Sequence, residues 1–145
     1  NSSYAISKKQ ASNYIKDHCK TTKIIQTSII GPELNSNYSL LEWFLSQKGE
    51  VYGYTEAIWN GVTTLEWAKQ CKVVIDNWDT TPLLTILYSN KVSKYELLVR
   101  IQELYEKKDV VIMPKNLGKD KSLKGNIKTK NIEEQLIELI KFNNG

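Results

Sequence analysis

Residues 23–32, KIIQTSIIGP, decide the predicted fold of this 145-residue chain. They are rich in β-branched side chains and are closed by Gly31-Pro32, which predicts a buried strand ending in a turn. Residues 3–20 precede this strand and carry side chains at the spacing of one helix face: Ala11, Tyr14, Ile15, His18 and Cys19. A helix followed by a nearly continuous apolar strand indicates a parallel α/β sheet.

Further helix starts recur along the chain. Residues 39–42, 63–66 and 93–96 have the Ser/Thr-x-x-Glu form of a capping box, and Asn131 with Glu134 predicts a fourth cap. The side chains expected to face the core are Leu41, Phe44, Leu45, Leu65, Ala68, Cys71, Val74, Ile75, Leu97, Leu98, Ile101, Leu104, Ile132, Leu136, Leu139 and Ile140. Strands are predicted at residues 50–54, 83–88 and 109–113, so helices and strands alternate.

Composition narrows the class of protein. With 41% hydrophobic and 25% charged residues, and no apolar run near the ~20 residues of a membrane helix, we expect one soluble domain and no membrane partner. Cys19 and Cys71 both fall on predicted helices, which favours free thiols in a reducing compartment, the cytoplasm. His18 has no Cys or His partner at metal-ligand spacing, so no metal is expected. The chain opens at Asn1 without a methionine, and we expect it to be part of a longer protein.

The excess of basic residues is concentrated near the C-terminus. The net charge is +4, and the lysines responsible are Lys115, Lys119, Lys121, Lys124, Lys128 and Lys130. A solvated loop explains them, and so does a basic rim around an anionic, diphosphate-bearing ligand. Because arginines and aromatics are not interleaved with these lysines, nucleic acid is not an expected partner.

A second feature is the tyrosine and lysine at the start of the first helix. Tyr4 and Lys8 are four residues apart and therefore lie on one helix face. An ammonium beside a phenol favours the phenolate, so the pair is suited to exchanging a proton with a carbonyl or hydroxyl oxygen. A Tyr-x-x-x-Lys pair is also what chance supplies in a chain with 8 tyrosines and 20 lysines and arginines, so the order of the surrounding motifs decides its meaning.

That order resembles the C-terminal half of extended short-chain dehydrogenase/reductases that act on nucleotide sugars, most closely the dTDP-4-dehydrorhamnose reductase group. Residues 3–8, SYAISK, resemble the start of the family's catalytic helix, and residues 26–32, QTSIIGP, resemble the strand that follows it. Residues 60–68, NGVTTLEWA, resemble the loop and helix that close over the sugar. Residues 84–97 resemble the family's later strand, loop and Ser-x-x-Glu-Leu helix cap.

The resemblance implies a set of site residues. Tyr4 would exchange the proton, Lys8 would lower the phenol's proton affinity and bind the nicotinamide ribose, and NAD(P) would carry the hydride. The implied cofactor contacts are Tyr4, Lys8, Thr27, Ser28 and Gly31, and the implied substrate contacts are Trp59, Asn60 and Gly61. The implied substrate is a nucleotide sugar, with a homodimer as an option.

Two departures bear on activity. The Gly-x-Gly-x-x-Gly turn that holds a dinucleotide pyrophosphate does not occur in the 145 residues, nor does the family's upstream Ser/Thr. We therefore expect the C-terminal part of a Rossmann-like sheet, residues 1–32, with a substrate-binding region, residues 33–145, and with the N-terminal dinucleotide-binding half absent. Alone, this segment is expected to be inactive and to aggregate or pair with another chain through its open sheet edge. Gln26 stands where many relatives have arginine, which puts one local charge contact in doubt.

Other functions stay open at this stage. A 4-epimerase or dehydratase would use the same fold and the same Tyr/Lys pair. A non-catalytic interaction module would keep the sheet without the chemistry.

Overall fold

The computed structural model describes residues 3–145, which contain five helices and nine strands. The helices are α1 (Ser3–His18), α2 (Leu40–Ser46), α3 (Thr64–Asp76), α4 (Lys94–Leu104) and α5 (Ile132–Asn144). The strands are β1 (Ile24–Gln26), β2 (Ile29–Ile30), β3 (Gly49–Tyr54), β4 (Ile58–Trp59), β5 (Val62–Thr63), β6 (Leu84–Tyr88), β7 (Val92–Ser93), β8 (Val110–Lys115) and β9 (Ile127–Lys128).

Parallel pairing dominates, which confirms the predicted α/β class. β1, β6 and β9 form a three-stranded parallel sheet in the order β1-β6-β9. β2 pairs with β5 and β3 with β8, both in parallel, whereas β4 and β7 pair antiparallel. At least one helix lies in each connection between paired parallel strands, as is usual for a crossover.

The single strand predicted over residues 23–30 is wrong, because two strands occupy it. β1 follows β6, with Ile24 opposite Leu84, while β2 follows β5. Thr27 and Ser28 make the change of sheet: Thr27 Oγ1 donates to the Leu87 carbonyl at 3.1 Å, and Val62 N donates to the Ser28 carbonyl at 2.8 Å. The two polar residues satisfy backbone groups of different sheets, which an apolar run does not reveal.

Helix starts follow their capping residues. Ser39, Thr63 and Ser93 each accept a hydrogen bond from the backbone N–H three residues on. At Ser93 the box is complete, because Glu96 Oε2 also accepts from the Ser93 N–H at 2.6 Å. The position of the fourth predicted cap is confirmed, since Asn131 is the N-cap of α5, but its side chain makes no cap bond. The Ile132 N–H instead donates to Asn90 Oδ1 at 2.8 Å.

The main core lies between α2, α4 and α5 and the β3-β8 pair. Its fully buried members are Leu41, Phe44, Leu97, Leu98, Ile101, Ile132, Leu136 and Leu139. These are among the side chains predicted to face inward. α4 also packs on β3, and the inward face of that strand is carried by Val51 and Gly53.

Two predicted helix faces are more exposed than expected. On α3, Ala68 is exposed and Ile75 is 67% exposed, although Val74 is buried. On α1, Ala11 and Tyr14 are exposed, and the buried residue is Ser12, whose hydroxyl accepts from Gln26 Nε2 at 3.2 Å. Periodicity identifies an apolar face but does not supply the element that covers it.

The cysteines are free and half-buried. Cys71 lies on α3 as predicted, whereas Cys19 lies just after the end of α1. Burial raises the pKa of the Cys71 thiol.

Candidate functional site

The main candidate site is a half-open cavity of about 630 Å³. It lies beside β2 and β4, at the start of α4, and is closed on one side by residues 117–121. The lining is mostly apolar and includes three lysines: Ser28, Ile29, Ile30, Leu40, Tyr54, Ala57, Ile58, Trp59, Lys94, Leu97, Leu117, Gly118, Lys119 and Lys121. A volume of this size and an apolar lining with few polar groups are usual for small-molecule sites.

Ser28 and Trp59 meet in the wall of this cavity. Trp59 Nε1 donates to Ser28 Oγ at 2.7 Å. The approach depends on Gly61, since a Cβ there would stand 2.0 Å from the Ser28 carbonyl oxygen and 2.4 Å from the Trp59 ring. Residues predicted for cofactor and for substrate are thus in direct contact.

Asn60 holds a neighbouring segment of the chain. Its side chain is 3% exposed, and it both donates to the Leu123 carbonyl through Nδ2 at 3.0 Å and accepts from the Leu123 N–H through Oδ1 at 2.7 Å. Both amide groups are therefore engaged with the main chain, and Asn60 does not line the cavity.

Thr27 and Gly31 flank the cavity wall. The one proton of the Thr27 hydroxyl is within hydrogen-bond distance of two backbone carbonyls, those of Leu87 and Ser28. Gly31 is buried against the first residue of α3, where an added Cβ would stand 2.3 Å from Thr64 Oγ1. Neither residue lines the cavity.

Tyr4 and Lys8 lie in the first turns of α1, outside the cavity lining. Lys8 Nζ is 5.5 Å from the centroid of the Tyr4 ring, so the ammonium and the phenol share one helix face as the spacing predicts. Tyr4 is 70% exposed, and its carbonyl accepts from the Ser7 hydroxyl. The helix is joined to the cavity wall through β1, which contacts Ser12 by Gln26 and leads into Ser28.

Lys94 and Lys121 reach the cavity from distant parts of the chain because their backbones dock on Ala57 and Ile58, and Lys119 follows Gly118, which lies against Ala57. The Lys94 N–H donates to the Ala57 carbonyl and the Lys121 N–H to the Ile58 carbonyl, both at 3.0 Å. Gly118 fits the approach: its φ is +127°, and a Cβ would stand 2.5 Å from Ala57 N. Residues with a side chain rarely adopt such a backbone φ, so glycine is required at this position.

The three lysines of the cavity have no acidic partner in the lining. The lining contains no carboxylate, and within residues 3–145 no acidic side chain forms an ion pair with Lys94, Lys119 or Lys121. Asp120 lies between Lys119 and Lys121 in the sequence but does not line the cavity. Its carboxylate accepts hydrogen bonds from Ser122 and from Lys91, which lower its pKa to about 2. The cavity therefore presents uncompensated positive charge to a ligand.

Sequence reasoning placed two of these lysines in a basic segment but missed Lys94 and Gly118. The signal for Gly118 was a lone glycine among lysines, and for Lys94 a position directly after a helix cap. Neither pattern indicates which segment it docks against.

The part of the chain that the structure describes has neither a cluster of metal ligands nor a membrane-spanning helix. No three His, Cys, Asp or Glu side chains there are grouped as a metal site would need. Among residues 3–145 no helix is sufficiently long and apolar to cross a membrane.

Comparison with known proteins identifies the fold. A scan against protein-family models finds no match, and neither does a search of curated proteins. Among solved structures, a dTDP-4-dehydrorhamnose reductase from Clostridium acetobutylicum superposes with a TM-score of 0.80 at 19% identity, over 99% of this chain and 56% of that one. The chain has the fold of these reductases.

Two further structures extend the comparison. A dTDP-4-dehydrorhamnose reductase from Bacillus anthracis, in complex with NADP, has a TM-score of 0.80 at 14% identity, over 96% of this chain and 55% of that one. A dTDP-glucose 4,6-dehydratase from the same organism, in complex with NAD, has a TM-score of 0.65 at 15% identity, over 99% of this chain and 52% of that one. The chain spans little more than half the length of these relatives, consistent with part of a Rossmann-like fold.

Proposed function

We propose that this chain is the substrate-binding half of an NAD(P)-dependent oxidoreductase that reduces a 4-keto-deoxysugar nucleotide. The observation that carries the proposal is the fold it shares with two dTDP-4-dehydrorhamnose reductases, at TM-scores of 0.80. The dehydratase superposes less closely, at 0.65, and a UDP-N-acetylglucosamine 4-epimerase from Methanobrevibacter ruminantium at 0.55. A GDP-mannoheptose C4 reductase from Campylobacter jejuni superposes at 0.57, below the dehydratase, so the ranking favours the dTDP-4-dehydrorhamnose reductases and not reductases as a class.

Tyr4 is the proposed general acid. In the reduction, the Tyr4 hydroxyl gives its proton to the carbonyl oxygen of the sugar, which becomes a hydroxyl, and the phenolate that remains is stabilised by the Lys8 ammonium. The position of that ammonium, 5.5 Å from the ring centroid on the same helix face, supports this pairing. The exposure of Tyr4 leaves it accessible to a substrate.

The proposed cofactor is NAD(P), which supplies the hydride when bound. The residues present fit one end of it. Lys8 offers an ammonium with three donors, suited to ribose hydroxyls, and it lies beside the proposed acid. A glycine-rich cradle for the pyrophosphate does not occur in the sequence, so the cofactor's other half would be held by a dinucleotide-binding unit joined to this segment.

The cavity is the proposed site for the sugar nucleotide. A nucleotide sugar combines a diphosphate with a base and a sugar ring, and the cavity combines Lys94, Lys119 and Lys121 with an apolar wall that includes Trp59. The charge and the apolar lining of the cavity therefore suit a ligand of this class.

The test uses the protein encoded by the complete reading frame. NAD(P)H oxidation is followed with a dTDP-4-dehydro-6-deoxy-L-sugar for the wild type, Tyr4→Phe and Lys8→Met. We expect Tyr4→Phe to lower kcat by about 10²-fold or more, the effect of removing a general acid. Tyr14→Phe is the matched control, because Tyr14 is an exposed tyrosine of the same helix, stacked on His18, and should leave kcat unchanged.

The other results separate the alternatives. Equal activity of the wild type and Tyr4→Phe would refute the role of Tyr4. An inert protein that still binds NAD(P)H would point to the dehydratase or epimerase reaction, and a protein without cofactor binding to a non-catalytic module.

A further inference from the structure

The hydroxyl of Ser28 has one hydrogen-bonding direction left. Trp59 Nε1 donates to Ser28 Oγ at 2.7 Å, and an indole N–H is a donor only. The serine oxygen therefore accepts from Trp59, and its own proton must point elsewhere. Among residues 3–145 no backbone or side-chain group accepts a hydrogen bond from this hydroxyl.

The main chain at Ser28 is held through its carbonyl oxygen, which fixes the point from which the serine side chain extends. Its carbonyl accepts from the Val62 N–H at 2.8 Å and from the Thr27 hydroxyl at 3.2 Å. Gly61 lies so close that no side chain fits between it and the Ser28 carbonyl. Ser28 and Trp59 both line the cavity, so a ligand bound there can approach the serine hydroxyl.

The neighbouring hydroxyl shows the contrast. The Thr27 hydroxyl has the Leu87 and Ser28 backbone carbonyls as acceptors for its one proton, and Thr27 does not line the cavity. Of these two adjacent hydroxyls, Thr27 serves the main chain and Ser28 is available to a ligand.

We propose that Trp59 is a positioning residue that orients the Ser28 hydroxyl as a hydrogen-bond donor to an oxygen of the bound sugar nucleotide. This assigns Ser28 to the substrate, whereas the resemblance implies a cofactor contact. The identity of the ligand rests on the proposed function, and the availability of the donor rests on the Trp59–Ser28 contact. A donor fixed in a largely apolar wall selects a ligand with an oxygen at that point, because a ligand without one leaves the hydroxyl unpaired.

The test is a double-mutant cycle on the protein from the complete reading frame. The dissociation constant for dTDP-glucose is measured by titration calorimetry, and KM and kcat are measured with the dTDP-4-dehydro-6-deoxy-L-sugar. The variants are Ser28→Ala, Trp59→Phe, their combination, and Ser28→Thr as the conservative rescue. Trp43→Phe is the control, because Trp43 packs on the core outside this cavity.

The expected pattern is non-additive. Ser28→Ala raises the dissociation constant and KM about 3- to 10-fold, the usual effect of one hydrogen bond, with little change in kcat. Trp59→Phe keeps the ring and raises them about 2- to 5-fold, and the double variant is no worse than Ser28→Ala. Ser28→Thr stays near the wild type, and Trp43→Phe has no effect.

Each other outcome has a distinct meaning. If the wild type turns over and the effects of Ser28→Ala and Trp59→Phe on binding are additive, the Ser28 assignment is overturned and the reductase proposal stands. The same holds if the wild type turns over and Ser28→Ala binds dTDP-glucose normally. Non-additive loss of dTDP-glucose binding in a protein without turnover supports the Ser28 assignment and overturns the reductase. A wild type that neither binds dTDP-glucose nor turns over overturns both.

Discussion

Replacing Asn60 with alanine should destabilise the protein through the main chain of a distant segment. The Asn60 side chain is 3% exposed and brackets Leu123, with bonds of 3.0 Å to its carbonyl and 2.7 Å from its N–H. The substitution removes both bonds and leaves two backbone groups of half-buried Leu123 without their partner.

The magnitude follows from these contacts. Two hydrogen bonds contribute about 1 kcal/mol each, and the unpaired backbone groups add a penalty of similar size, so we expect a loss of about 2–4 kcal/mol. For a chain of this length that corresponds to a fall in Tm of roughly 5–12 °C.

Asn126 provides a matched control for burial. It brackets its own neighbouring strand in the same way, donating to the Leu84 carbonyl at 2.9 Å and accepting from the Ile86 N–H at 2.7 Å, but it is exposed. Water can replace the bonds lost in Asn126→Ala, so this variant should lose less than about 1 kcal/mol. The measurement is urea unfolding followed by far-ultraviolet circular dichroism.

Equal and small losses in the two variants would refute the reasoning, because burial would then not set the cost. A normal free energy of unfolding in Asn60→Ala with a raised KM would instead make Asn60 a substrate contact, as the resemblance implies.

Two further predictions concern charged groups. The hydrogen bond from the Ser93 N–H lowers the pKa of Glu96, so its carboxylate stabilises the fold above the unfolded-state value of about 4.3, and this contribution is lost as pH falls through the lower folded-state pKa. Glu96→Gln should lower the free energy of unfolding by roughly 0.5–1 kcal/mol at pH 7 and by little near pH 3, as measured by urea unfolding. A difference between the two proteins that does not change with pH would contradict this. The double variant Lys119→Gln/Lys121→Gln should bind dTDP-glucose more weakly than the wild type, and its affinity should depend less on salt concentration in calorimetry. Lys141→Gln on α5 is the control and should change neither quantity. An unchanged salt dependence in the double variant would rule out the basic rim.

Local patterns predicted much of the fold. Ser39, Thr63 and Ser93 each begin a helix as their sequence motifs indicate, because a cap bonds a backbone group only three residues away. The alternation of helices with apolar strands predicted parallel pairing, and the structure confirms it at β1-β6 and β3-β8.

The errors arise where a partner far along the chain decides. Residues 23–30 divide between two sheets because Thr27 bonds Leu87 while Ser28 bonds Val62. Ile75 has helical periodicity and is nevertheless exposed. The two-residue strands β4, β5, β7 and β9 were missed, because so few residues carry no periodic pattern.

The candidate site divides in the same way. The sequence by itself determined the Tyr4 and Lys8 pair, since a spacing of four residues places both on one helix face. Only the tertiary structure decided that Ser28 meets Trp59 and that lysines from α4 and from residues 117–121 line one cavity. The physical reason is distance along the chain. Helix spacing and caps act over three or four residues, whereas these contacts join segments about 30 to 60 residues apart. Such segments are brought together by backbone pairing, which many side-chain patterns permit.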